Sequence, residues 1–427
     1  MSVCSKPTHV FLTGATGHLG GELLVALSQQ EGIQSITCLV RARSGEPGVA
    51  RLARVFALRG DRFDPARVAC LEGDLTDPEL AATLRGNPAL ADTDLVIHCA
   101  AETSFSPFES AAITEINVGG TRRLLGWASG LQRLATFVYV GTAAAVGAER
   151  RGLLGEDDAQ TPGARHVVPY TASKAEAEAL VARHLPAHQV LVVRPSILLG
   201  DSGGRVPRSV DVGWAVAAMN RLRLLPVDPH LPLDIIPADF AAHAIVALIG
   251  GARRHAVYHV SAGPEATTSA AQLAPLLAER YPALPPFRFV EPELRPLLAR
   301  WARGVLPPSP QLAPHASYLA HIGAEFPDRH ERFAIVSAAS VYFEFMQLGQ
   351  VFDNRRARTD APLAMPPPAH LYLRPALESL DRIDLLAGVH DRALTRGSGS
   401  GTARLRNDRR RGRRHPGPPH RTRRHLR

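Results

Sequence analysis

The segment Thr13-Gly14-Ala15-Thr16-Gly17-His18-Leu19-Gly20 follows an apolar run at residues 9–13 (HVFLT) and opens a helix-like stretch at residues 19–30. Its glycines at 14, 17 and 20 recur every three residues. Glycine permits a tight turn and close backbone approach to a pyrophosphate. A helix start adds free N–H groups and the positive end of its dipole. Such spacing is weak evidence alone and strong between the strand and helix of one βαβ unit. Thr13, Gly14, Thr16, Gly17, His18, Leu19 and Gly20 are therefore candidate dinucleotide-binding residues. The alternative is a tight turn that binds nothing.

Outward from this turn, β-branched runs alternate with helical patterns over the first 265 residues. Strand candidates are residues 9–13, 35–41, 68–71, 95–100, 136–140, 190–194 and 257–261. They are almost continuously apolar, as in strands covered on both faces. Helix candidates are residues 19–30, 78–85, 110–129, 172–184 and 239–249. This alternation predicts an α/β fold, a Rossmann-type doubly wound parallel sheet. It fails at residues 201–232 and after 262, where Pro and Arg are frequent. Irregular segments beyond the carboxyl ends of such strands often build a substrate pocket. The expected organisation is a nucleotide-binding domain (1–265), a mainly helical substrate-associated region (266–395) and a disordered Arg-rich tail (396–427).

The chain has 427 residues and a formal charge of +9. The tail alone holds twelve arginines and one acid, Asp408, so it carries +11 and the remainder −2. A basic surface over the whole chain, and nucleic-acid binding through the folded body, are thereby excluded. Lys6 and Lys174 are the only lysines. Arg replaces Lys on a solvated surface but not where a compact ammonium is needed, which marks Lys174. The four cysteines form no CxxC pair or zinc-type spacing, and no metal site is expected. The N-terminus lacks signal-peptide character, and no apolar run reaches the roughly 18 residues of a membrane span. A cytoplasmic location is expected, with peripheral membrane contact left open.

The second strand runs into Val40-Arg41-Ala42-Arg43, with no acid before Glu46. An acid there would suit a ribose 2′-hydroxyl, whereas guanidinium suits a 2′-phosphate. Arg41 and Arg43 thus favour NADPH over NADH, unless they simply face solvent. Asp74, followed by Leu75, comes after the third strand; Asp74 either accepts from the adenine amino group or caps a helix. Ala100 and Ala101 follow the fourth strand, where small side chains either let the cofactor pass or pack tightly.

Tyr170-Thr171-Ala172-Ser173-Lys174 sets Tyr and Lys four apart on one helix face. A nearby ammonium stabilises a phenolate, making Tyr170 a usable acid–base group, and can also hold a ribose hydroxyl. Thr142 ends the fifth strand, where its hydroxyl either meets an oxygen gaining charge or stabilises a turn. Asn117, polar within an apolar helix, either binds backbone and water near the Lys or stabilises a kink. Pro195, after Arg194, is expected to block the ladder and turn the backbone toward the site.

TGATGHLG, DLVIHCAA, NVGGT, a Thr-bearing strand end, YTASK and VVRPSILLG occur in the order found in extended short-chain dehydrogenases/reductases, which the chain resembles over about residues 8–262. Within that superfamily it is most similar to fatty acyl-CoA reductases and thioester-reductase domains, with the male-sterility-type NAD(P)-binding domain. CLVRARS followed by RLARVF, then AAETSFS and PLDIIPADFAAHAI, carry this likeness. VYFEFMQLGQVFDNRRA resembles the C-terminal segment of alcohol-forming fatty acyl-CoA reductases. The resemblance implies a catalytic set Thr142, Tyr170 and Lys174, NADPH at the glycine turn, and Pro195, Ser196 and Ile197 beside the nicotinamide. It also implies a long-chain acyl thioester substrate, on CoA or a carrier, reduced to an aldehyde and, after cofactor exchange, to an alcohol. Gly141 departs from the pattern, since relatives often place Ser there.

Two rivals follow from the same features. One is an extended dehydrogenase or epimerase acting on a sterol-like or nucleotide-sugar alcohol. The other is a non-catalytic NADPH-binding regulator that uses the basic tail as a nucleic-acid arm. The intact Tyr170/Lys174 pair argues against the second.

Overall fold

In the computed structural model, residues 8–42, 45–158, 163–203, 210–304 and 309–387 are described. Arg43 and the tail 396–427 lie outside them. Seven strands form one sheet: β1 (Thr8–Thr13), β2 (Ile33–Val40), β3 (Val68–Glu72), β4 (Leu95–His98), β5 (Thr136–Val140), β6 (Val190–Pro195) and β7 (Val257–Val260). Their order is β7-β6-β5-β4-β1-β2-β3, and every pairing is parallel. The order reverses between β1 and β4, so a crevice opens at their carboxyl ends.

Helices cover both faces of the sheet. Val10 and Leu12 of β1 point into a core with α1 (His18–Ser28), α2 (Gly48–Ala57) and α7 (Ala238–Gly250). Phe11, between them, points into the opposite core with α3 (Leu80–Arg85), α4 (residues 110–128) and α5 (Pro169–His184). The near-continuous apolar strands reflect this double coverage. Helix α4 consists of three successive pieces, Ser110–Thr114, Glu115–Gly119 and Gly120–Ala128, the middle one a π-turn. Sequence periodicity predicts an unbroken helix here. Periodicity does not register a single wide turn, and such turns concentrate at functional sites.

One expectation is corrected and another narrowed. Part of the supposedly irregular stretch 201–232 is helix α6 (Val210–Leu222). Its Trp214, Ala215, Ala218 and Leu222 enter one apolar core with Leu298, Ile335 and Phe343. These come from the C-terminal helices α9 (Arg295–Ala302) and α11 (Arg329–Met346), with α8 (Ala270–Arg280) and α10 (Ala316–Glu325) alongside. Flanking Pro and Arg obscured the α6 signal. Pro195, in turn, blocks the ladder on one side only: toward β7 it pairs with Val260, and Ser196 N–H still donates to the Val260 carbonyl at 3.0 Å. The Val192 and Ser196 amides face β7, so the amide missing at Pro195 faces β5. Pairing with β5 ends at Val140↔Val193, with Gly141 N–H donating to the Val193 carbonyl at 2.7 Å, so on this side the ladder stops short of Pro195, as expected.

The VFDN segment ties the C-terminal region to the sheet. Residues Gln350–Phe352 pair in parallel with Gly152–Leu154. The buried Asp234 carboxylate accepts from Ala262 N–H (2.7 Å) and Phe352 N–H (3.0 Å). Ser261 hydroxyl donates to the Phe352 carbonyl at 2.7 Å, and the Asn354 amide donates to the Ser261 carbonyl at 3.0 Å. Burial pushes the Asp234 carboxyl up to about 6 against these two amide donors.

Candidate active site

The glycine turn sits at the β1/β4 crevice. Gly14 has φ +78°, and a Cβ there would lie 2.6 Å from the Ala100 nitrogen. A Cβ at Gly20 would collide with the Gly14 carbonyl oxygen. The turn is closed by Gly17 N–H donating to that oxygen at 2.8 Å. Gly17 caps α1 without a side-chain bond, and first-turn amides have no acceptor within their own helix. His18 starts α1, and Leu19 and Gly20 are buried in it. Thr13 is buried, and its hydroxyl accepts from Ala100 N–H at 3.2 Å. Ala100 and Ala101 are half-buried at the crevice wall.

The carboxyl end of β2 carries a residue that sequence reasoning missed. Arg51, in the first turn of α2, is buried. Its guanidinium donates to the Thr16 hydroxyl at 2.9 Å and to the Arg41 carbonyl at 2.6 Å. It therefore bridges the glycine turn and the end of β2. The Arg41 side chain is exposed. An arginine on the buried face of the amphipathic RLARVF helix was the available signal. Asp74 Oδ1 accepts from the amide and hydroxyl of Thr76, both at 2.9 Å, so at least that oxygen serves the turn. Leu75 packs in the core beside Leu124. These features fit a dinucleotide: a cradle closed to side chains, a helix start, and a guanidinium that braces the glycine turn against the end of β2.

On the other side of the crevice, Tyr170 lies in the first turn of α5, behind Pro169. Lys174 is buried (2% exposed) one turn on. Its ammonium lies 4.3 Å from the Tyr139 ring centroid, and Tyr139 hydroxyl donates to the Lys174 carbonyl at 3.2 Å. Burial pulls the Lys174 ammonium down to about 8, partly offset by Cys99 and Glu178. Glu178 is engaged by the buried Arg194 at 2.6 Å. A Cβ on Gly141 would sit 3.2 Å from Glu178 Oε2, so the departure from Ser fits this crowded carboxylate. Thr142 is half-buried after β5, where α5 packs against the following turn. Its hydroxyl accepts weakly from Ala144 N–H at 3.4 Å.

Asn117 lies in the π-turn of α4. Its side chain accepts from Glu102 N–H (2.7 Å) and donates to the Glu102 carbonyl (2.9 Å) and the Ser173 hydroxyl (2.9 Å). It thus joins the loop after β4 to the Tyr170/Lys174 helix. Ser196 is buried, and Ile197, 38% exposed, pairs with Ile235 at the end of β6.

An aromatic bridge leads away from Tyr170. Phe105 stacks on Tyr170 at 6.2 Å between centroids and meets Tyr342 at 5.0 Å and Phe345 at 5.2 Å. The apolar cluster that holds Phe105 and Tyr342 also borders, through Met219, Phe287, Phe289 and Met346, an apolar cleft. Gly213, Val216, Leu273, Leu277, Met346 and Leu373 are among its walls. The C-terminal helices and α6 therefore line an apolar cleft.

The family model described as male sterility protein matches residues 12–245, more than half of the chain. The chain belongs to the NAD-binding male sterility protein family. Among curated proteins, the hybrid PKS-NRPS synthetase mycA of Thermothelomyces thermophilus is 34% identical over 271 residues, 58% of this chain and 6% of the synthetase. Fatty acyl-CoA reductase 1 of Xenopus laevis is 28% identical over 277 residues, 56% of this chain and 54% of the reductase. The family region of this chain thus corresponds to a small part of the synthetase and about half of the reductase. Among solved structures, the terminal R domain of the myxalamid PKS-NRPS pathway superposes with TM-score 0.65 at 22% identity, covering 88% of this chain and 91% of that one. UDP-glucuronic acid 4-epimerase of Bacillus cereus, in complex with NAD, gives TM-score 0.58 at 15% identity, covering 88% and 99%. Both likenesses concern the fold. Among the described residues, no helix is long and apolar enough to cross a membrane.

Proposed function

We propose that this family member is an NADPH-dependent reductase of fatty acyl thioesters, on CoA or on a carrier thiol. The observation that carries the reading is the run of aromatic contacts from Tyr170 through Phe105 to Tyr342 and Phe345, with Phe105 and Tyr342 in one apolar cluster with Met219 and Met346 of the cleft wall. Relatives named as a fatty acyl-CoA reductase and as a reductase domain support it. A nucleotide sugar needs polar partners, and the residues lining this cleft are aliphatic, aromatic or glycine, with two methionines.

A bound nicotinamide would supply the hydride. The chain's own groups handle the oxygen and the proton. Thr142 and Tyr170 hydrogen-bond the thioester oxygen as it gains charge. Tyr170 then gives its proton to that oxygen, and the Lys174 ammonium stabilises the phenolate left behind. The resulting hemithioacetal releases the thiol and leaves an aldehyde; a second round gives the alcohol. Arg51, with Arg41, holds the 2′-phosphate that distinguishes NADPH. The cleft and C-terminal helices hold the acyl chain away from water. No function is assigned to the tail.

The test is purified protein with NADPH and palmitoyl-CoA, followed at the reduced-nicotinamide absorbance. Thioester-dependent loss of that band is expected. No loss, with turnover of NAD⁺ and a sterol or nucleotide sugar, would favour the dehydrogenase/epimerase reading instead.

A further inference from the structure

We propose that His98 is a positioning residue whose proton-ordered hydrogen bonds hold the cofactor turn and the Tyr170/Lys174 helix in one register. His98 ends β4 and is 1% exposed. Its Nδ1 lies 2.8 Å from Thr13 Oγ1, and its Nε2 lies 2.9 Å from Thr121 Oγ1. The two hydroxyls have opposite roles. Thr121 spends its one proton on the Asn117 carbonyl at 2.5 Å, so toward His98 it accepts. Nε2 therefore carries the ring proton.

A neutral imidazole has one N–H, so Nδ1 accepts and Thr13 donates. Thr13 is then free to accept the Ala100 N–H at 3.2 Å, as observed. Burial and the Lys174 charge hold the ring down to about 3, so it stays neutral at ordinary pH. Every proton from Ala100 to Asn117 is thus assigned.

The two ends of this chain reach the two halves of the site. Thr13 precedes the glycine turn, and the Ala100 backbone is what Gly14 abuts. At the other end, Asn117 donates to the Ser173 hydroxyl at 2.9 Å, and that hydroxyl donates to the Tyr170 carbonyl at 2.8 Å. Hydride transfer depends steeply on the separation of donor and acceptor. A rigid, directional link between the segments that carry them sets that separation. His98 touches no reacting atom and acts through Thr13 and Asn117.

The proposal rests on the assigned roles of the glycine turn and of Tyr170/Lys174, and two substitutions split its arms. Gln places an amide nitrogen near the Nε2 position, so His98→Gln keeps the Thr121 arm and loses the Thr13 arm. Asn places an amide oxygen near Nδ1, so His98→Asn does the reverse. The two arms are in series, so His98→Gln is expected to lower kcat for palmitoyl-CoA reduction about tenfold and, by freeing Thr13, also to weaken NADPH binding, read by fluorescence titration, about tenfold. His98→Asn is expected to lower kcat about tenfold with NADPH affinity within about twofold. A merely structural histidine would leave kcat within about twofold in both variants, or would lower NADPH affinity equally in both, and either outcome overturns the proposal.

Ring ¹⁵N shifts of His98 in the full-length wild type give a second readout that needs neither variant nor substrate. The Nε2–H tautomer is expected; Nδ1–H would overturn the proposal. If the wild type shows no thioester turnover, the reductase reading fails. The tautomer and the NADPH affinities still decide the role of His98.

Discussion

The Lys174 ammonium rests over the Tyr139 ring, 4.3 Å from its centroid, while Tyr139 hydroxyl donates to the Lys174 carbonyl. One aromatic side chain thus covers the charge and anchors the helix turn that presents it. The acid one turn on, Glu178, is held by Arg194. The ammonium is consequently pulled from its ordinary 10.5 to about 8 by burial.

A pH dependence follows with a definite sign. Below about 8 the lysine is charged in both folded and unfolded chains, and the cost of burying it is fully present. Between about 8 and 10.5 the unfolded chain holds more protons, so this cost is relieved as pH rises. Lys174→Met should therefore be more stable than wild type at pH 7, with the gap closing toward about pH 10. Denaturant unfolding at several pH values measures it; a gap independent of pH would contradict the burial argument. The ammonium proposed to hold a ribose hydroxyl is also lost above about 8, so on that proposal NADPH affinity falls there in wild type and not in Lys174→Met.

Arg51 predicts cofactor choice. Charged hydrogen bonds to a phosphate are worth about 1.5–3 kcal/mol, or roughly tenfold to a hundredfold in affinity. Arg51→Gln should raise the Kd for NADPH by that factor and leave the Kd for NADH within about threefold. Equal weakening of both cofactors would show that Arg51 only braces Thr16 and the Arg41 carbonyl.

The residues that carry strong local rules were readable in advance. Gly14 and Gly20 needed only their spacing between strand and helix, because backbone crowding excludes any side chain. Lys174 stood out because a chain this rich in Arg has one other Lys. The sheet was legible because strands covered on both faces write long apolar runs. What escaped depends on contacts across the chain. Arg51 acquires meaning only when α2 folds back onto Thr16. His98 looks like one more residue of an apolar strand until Thr13 and Thr121 flank it. Helix α6 was hidden because its apolar face is completed by residues more than 70 positions away, such as Leu298 and Ile335.

The cleft predicts chain-length selectivity. Each methylene it covers contributes about 0.8 kcal/mol. Val216 lines the wall, and Val216→Trp would fill part of the space. The ratio of kcat/KM for palmitoyl-CoA over octanoyl-CoA should fall about tenfold, the equivalent of roughly two methylenes. An unchanged ratio would place the acyl chain elsewhere.

Asp234 predicts how the C-terminal region is locked. Its carboxyl is raised from 3.8 to about 6 by burial, so its stabilising contribution is complete below about 4 and lost as pH rises through about 6. Asp234→Asn turns an amide NH₂ toward one of two N–H donors, costing about 1–3 kcal/mol. The variant lacks the titration, so wild type should exceed it by more at pH 4.5 than at pH 7. Unfolding curves at the two pH values compare them, and a gap that widens with pH would contradict the assignment.

The central claim is thioester reduction by hydride at a site built from Tyr170 and Lys174. Its most direct test incubates the protein with palmitoyl-CoA and NADPH deuterated at nicotinamide C4, each face in turn, and follows the label by mass spectrometry. The account predicts deuterium on C1 of the aldehyde or alcohol from one face only, free CoA in step with it, and neither from Tyr170→Phe, which still binds NADPH. Product without label, or full activity in Tyr170→Phe, would contradict it.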